Sequence, residues 1–273
     1  MKKSILIISV ISILVACKKE EPEVQIIEKS QSPHLVVERK NTTCITKLVA
    51  TWNPSSHQSW ANSKTESLKS LFSDRNVFFM DFWQDVYPGS SSANLFNQVI
   101  SSFDLNTTLP SFYTNMKENN TIYTVGDEDS IATVHDSAEV ILNSNYEMNI
   151  SGDTVFLKTT TKFFKNVSGD FLLVPLMVLR EIDEGGVKKY KNLVVDYARS
   201  WTLPTVENMA YRLDSGYIQS GKEITNDFLL PKKAEWDDYD LTFALIMVKR
   251  VANKFEFVNS FTIPKRRLWE SER

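Results

Sequence analysis

Ser55, Ser56 and His57 stand together in the stretch TWNPSSHQSW (51–60), and a serine beside a histidine is the raw material of a nucleophile with its general base. Adjacent residues rarely point at one another, however, and no Gly-x-Ser-x-Gly turn lifts a serine clear of its surroundings. The group reads better as the start of a helix capped by Ser55 or Ser56. The chain holds two cysteines, Cys17 and Cys44. Dithiol exchange needs a thiolate with a resolving thiol beside it, which this spacing does not offer. Cys44 is expected to be buried and inert, with pairing between chains as the alternative. His34, His57 and His135 lack metal-ligand spacing. The acidic stretches GDEDS (126–130) and EWDDYD (235–240) lack the alternating ligand ladder of a calcium loop and read as solvated turns. Neither a metal nor a cofactor is expected.

The elements that must position these residues fall into two textures. Residues 45–52 form an apolar strand, and the spacing of Trp60, Leu68, Leu71 and Phe72 predicts a helix over 58–72. NVFFMDFW (76–83) is a second strand, ANLFNQVISSF (93–103) a second amphipathic helix, and NTTLPSFYTN leads into a third strand. This is a βαβαβ order with short connections. Beyond about residue 132 the pattern is strand after strand, with Ser-Gly-Asp turns expected at 151–153 and 168–170 and loops at 199–207 and 231–240. Seven or so strands without a helix predict a β-sandwich of immunoglobulin-like size.

The amino terminus points to location. Lys2 and Lys3 precede an apolar run from Ile5 to Ala16, too short to span a bilayer but suited to a secretory signal. Leu14-Val15-Ala16-Cys17 resembles the bacterial lipobox, which implies cleavage before Cys17 and lipidation of that cysteine. The charged stretch that follows reads as a flexible tether, and its lysine–acidic run resembles the surface-export signal of Bacteroidetes lipoproteins. The net charge of −3 gives no broad basic surface, so nucleic acid is not an expected partner.

Lipobox, tether, βαβαβ unit and sandwich, in that order, resemble the 28-kDa outer-membrane protein family of Bacteroidetes lipoproteins. The resemblance rests on ATW (50–52), TLPSFYTN (108–115), FLLVPLMVLREI, YKNLVVDYARS and FEFVNSFTI. It implies an α+β, two-domain chain: a thioredoxin-like α/β domain followed by an antiparallel immunoglobulin-like β-sandwich. The expected boundaries are a lipoprotein signal peptide over 1–16, a tether over 17–40, the thioredoxin-like domain over 41–131, the sandwich over 132–264 and a tail over 265–273. Asn53 and Ser56 stand where that family's cysteine pair would be, so the expected redox site lacks its chemistry. Cys44 cannot substitute, because it precedes the strand and should lie about 25 Å away at ~3.3 Å per residue.

What remains is a candidate ligand groove formed by Trp52, Asn53, Ser56, His57, Leu109 and Pro110, with Trp52 as an aromatic wall or as plain core. The Leu109–Pro110 bond is a candidate for cis, and an extended peptide is the expected ligand. Three Asp-Ser/Thr-apolar triplets resemble the Bacteroidetes O-glycosylation sequon, at Ser130, Ser137 and Thr154. The expected function is a non-catalytic, lipid-anchored protein of the outer membrane, facing the periplasm or the cell surface, that binds or scaffolds. Its partners are the membrane, through the lipid, and a peptide or protein. The alternatives are a component of a surface filament, adhesin or nutrient-uptake complex, and an enzyme of unrecognised type.

Overall fold

The computed structural model describes residues 35–50, 53–84, 92–106, 109–121, 139–184, 187–200, 205–207, 209–234, 236 and 241–263. The chain runs β1 (Thr43–Val49), α1 (Ser55–Leu71), β2 (Val77–Trp83), α2 (Ser92–Phe103), β3 (Ser111–Thr114) and β4 (Lys117–Thr121). It continues through β5 (Leu142–Ser151), β6 (Thr154–Phe163), β7 (Val167–Glu184), β8 (Val187–Tyr197) and β9 (Thr205–Glu207). The last four are β10 (Ala210–Ile218), β11 (Glu223–Pro231), β12 (Leu241–Val251) and β13 (Lys254–Thr262).

Alternation along β1 decides which layer covers which face. Ile45 packs with Ala61 and Leu68 of α1 and with Phe112, whereas Cys44 and Leu48 pack with Leu95, Phe96 and Val99 of α2. In α1 the buried residues are Ala61, Thr65 and Leu68, with Phe72 just beyond. Of the apolar stripe expected from the sequence, Leu68 and Phe72 are buried, whereas Trp60 is 41% and Leu71 55% exposed and Ala61 and Thr65 take the inner positions.

Strand β7 is covered on both faces, which accounts for its unbroken apolar run. Phe171, Leu173 and Met177 meet Tyr146, Leu157 and Phe163 of a three-stranded sheet ordered β11-β6-β5. Leu172, Val174 and Leu176 face the other way, into the layer filled by α2. Face-to-face packing of two sheets is therefore present.

The expected fold class is not what the structure shows. There is no thioredoxin-like α/β domain followed by an immunoglobulin-like sandwich; the chain is mostly β, with two helices among the described residues. Strands β1 to β4 belong to the same ten-stranded mixed sheet as β7, β8, β12 and β13, in the order β13-β12-β7-β8-β2-β1-β3-β4, with β10 attached to β7 and β9 to β10. The join is the parallel pairing of Asp81 in β2 with Leu193 in β8. Leu35–Arg273 accordingly forms one compact unit. Local periodicity identifies strands but not which open edge each will meet, and that edge decided the architecture.

Smaller corrections have similar causes. The turn expected at 168–170 is strand: Gly169 pairs with Gly216 inside the β7–β10 ladder. A Cβ on Gly169 would stand 2.5 Å from Lys249 Cε, so the glycine marks a close approach rather than a reversal. The turn at 151–153 does join β5 to β6, with Gly152 at φ 56°. Strand β11 was not anticipated, and neither were the short strands β4 and β9.

Candidate functional site

Asn53 uses its whole side chain to fasten the β1–α1 turn. Its Oδ1 accepts from Ala50 N–H at 2.8 Å, and its Nδ2 donates to the Leu109 carbonyl at 3.2 Å. Gln58 Nε2 donates to the Asn53 carbonyl at 2.9 Å. The structure thus brings Asn53 and Leu109 together, beside a cis Leu109–Pro110 bond. Ser56 and His57 instead lie exposed on the first turn of α1. That helix is capped by Pro54 with no side-chain bond, contrary to the expected serine cap. Trp52, Cys17, Ser130 and Ser137 fall outside the described residues, as do GDEDS and most of EWDDYD. Thr154 is half-buried and opens β6 beside an exposed turn.

Cys44 is fully buried, and burial pushes its thiol up to about 12, only partly opposed by a contact with Thr46 Oγ1 at 3.5 Å. No useful fraction of thiolate exists near neutral pH. Among the described residues no cluster of three or more His, Cys, Asp or Glu is placed to hold a metal. No helix among them is long and apolar enough to cross a membrane.

Two arrangements escaped the sequence reading. Lys47 and Asp81, register partners on β1 and β2, form an ion pair at 2.5 Å with both side chains almost wholly buried. Burial pushes the Asp81 carboxyl above its ordinary range, and the Lys47 ammonium pulls it partly back. The available signal was one charge in each of two apolar runs, ITKLV and FFMDFW.

The second is a cleft of about 1010 Å³. One wall is a strap, residues 36–42, that joins no sheet and is held by side chains instead. Asn145 Nδ2 donates to the Val36 carbonyl at 2.8 Å, and Asn143 Nδ2 to the Glu38 carbonyl at 2.9 Å. Asn259 Nδ2 donates to the Lys40 carbonyl at 2.9 Å, and Ser260 Oγ to the Thr42 carbonyl at 2.9 Å. Every second carbonyl is therefore gripped, the first two from β5 at the edge of the three-stranded sheet and the last two from β13 at the edge of the ten-stranded one. The Oδ1 of Asn143 is shielded from solvent and has no partner among the described residues.

Four cationic side chains line this cleft, Lys40, Lys69, Arg75 and Arg180, against one carboxylate, Glu38. Arg180 is fixed: its Nη2 donates to Thr242 Oγ1 at 3.2 Å and to the Ile263 carbonyl. Asn192 stands across from it, between the Leu179–Leu193 and Glu181–Lys191 pairings, with φ 53°. The hint in the sequence was Asn143 and Asn145 at period two on a strand, where asparagine is unfavourable unless its amide has work to do.

No known protein family's sequence profile matches the chain, and no curated protein does. Among solved structures, a β-glucuronidase from glycoside hydrolase family 2 is similar at 15% identity over 44% of this chain and 10% of its own length. Its TM-score is 0.24, which carries no argument about fold or activity.

Proposed function

We propose that this protein is a lipid-anchored envelope protein, held by Cys17 at the outer membrane or cell surface, that binds a ligand rather than transforming one. The observation that carries the binding half is the cation-lined cleft, a volume at the upper end of the range common for small-molecule sites. The anchoring half is supported by Leu14-Val15-Ala16-Cys17 at the end of the apolar run. The vacated turn is the weaker candidate, because both polar atoms of the Asn53 side chain are already spent.

Fractionation of cells tests the anchor. The full-length chain should sediment with membranes, and Cys17→Ala should move it to the soluble fraction, because a single residue carries the whole lipid attachment. Unchanged partitioning and unchanged mass in the variant would refute the anchoring.

A further inference from the structure

We infer that the cleft takes a small ligand carrying both an anionic group, carboxylate or phosphate, and several hydroxyl or amide groups. This rests on the cleft being the binding site.

The charge argument comes first. Lys40, Arg75 and Arg180 bring positive charge to a single concavity in which Glu38 is the one lining carboxylate, while Lys69, the fourth lining cation, is paired with Glu66 at 3.4 Å; such a field favours an anion. Arg180 is the best placed to receive it, since Thr242 and the Ile263 carbonyl hold its guanidinium before any ligand arrives. A planar guanidinium suits carboxylate and phosphate alike. The exposed Lys40 faces it from the strap side, so the cations come from separate walls rather than from one surface stripe.

Backbone geometry supplies an independent argument. Asn192 occupies the left-handed region in mid-strand, a conformation that asparagine adopts more readily than most residues other than glycine. The β7–β8 ladder slips register on both sides of it, at Met177/Val178 and at Ile182/Asp183. Irregularities of this kind collect where a sheet must aim a side chain. Asn192 and Asn76 offer amides to the ligand's own polar groups, and Phe78 and Phe261 offer apolar surface.

Calorimetric titration of the full-length protein in detergent separates the requirements. Gluconate and glucose 6-phosphate carry charge and hydroxyls, sorbitol carries hydroxyls alone, and sulfate carries charge alone. At least one anionic polyol should bind about tenfold or more tightly than sorbitol and sulfate. The stronger of the two identifies carboxylate or phosphate as the preferred group. Raising salt from about 0.1 M to about 1 M shortens the screening length from about 10 Å to about 3 Å and should weaken binding. Lys40→Glu, an exposed reversal that should leave the fold intact, should weaken it about tenfold or more. Sorbitol binding as tightly as gluconate, and lost in Lys40→Glu, would overturn the ligand class but keep the cleft as the site. Binding untouched by Lys40→Glu, or no binding by any of the four probes, would overturn the cleft itself.

Discussion

At the scale of single residues, the charges inside the protein say most. Lys47 and Asp81 have left water together, and each justifies the other's burial. Removing one partner strands a buried charge, so Lys47→Met or Asp81→Leu alone should lower stability by about 3–5 kcal/mol. The double variant should be neutral or more stable by about 1–4 kcal/mol. Denaturant midpoints of the three variants decide it, and a double variant as weak as the sum of the singles would contradict the pairing. The pH dependence follows from the same geometry. Because folding raises the Asp81 pKa, its stabilising contribution is complete below the ordinary value of about 3.9 and is lost as pH rises through the folded value.

At the scale of elements, the strap is the unusual part. A strand is normally held by its neighbour's backbone, but residues 36–42 are held by amides and a hydroxyl. Asn259 is the centre of this grip. Its Nδ2 reaches the Lys40 and Leu142 carbonyls, while its Oδ1 accepts from Thr42 N–H at 3.0 Å and Ser260 N–H at 2.8 Å. Asn259→Ala leaves those groups unpaired and should cost about 1–3 kcal/mol. It should also open the strap to trypsin at Arg39 and Lys40 before the rest of the chain is cut. Digestion at unchanged sites and rates would show that the strap is secured some other way.

At the scale of the molecule, one long sheet runs through what the sequence presents as two textures. The Asp81–Leu193 pairing ties β2 to β8, and Phe103 of α2 stacks edge-on against Phe255 of β13 at 5.8 Å. Strands β13 and β1, five places apart in the sheet, also meet, with Thr42 just ahead of β1 bonded to Asn259 of β13, so the sheet curls around α2. Shared layers should unfold together. Far-ultraviolet dichroism, which follows the strands, and tryptophan emission should therefore report one coincident thermal transition. Two well-separated steps would mean that the β2–β8 join carries little.

Much of this was legible residue by residue. Both helices, β1 to β3, and the long strands β5 to β8, β10, β12 and β13 follow from apolar spacing, which is a local property. Cys44's burial follows from the preference of a free cysteine for the interior, although the sequence set it ahead of the strand and it lies inside β1; the candidate lipid anchor needs only the first seventeen residues. Strand β11 was missed because EITNDFLLP alternates weakly and ends in proline, so its identity comes from pairing with β6. The Ser-Gly-Asp at 168–170 carries the same letters as a true turn, and only the Gly216 partner opposite makes it strand. The cleft was invisible for a deeper reason. Lys40, the Lys69–Arg75 segment and Arg180 come from three separate stretches of chain, and nothing in their spacing places them around one space. Sequence by itself determined both helices and most of the long strands, because burying an apolar face is settled over a few neighbouring residues. Only the tertiary structure decided that those strands share one sheet and that its edges enclose a charged cleft, because strand pairing joins residues far apart along the chain.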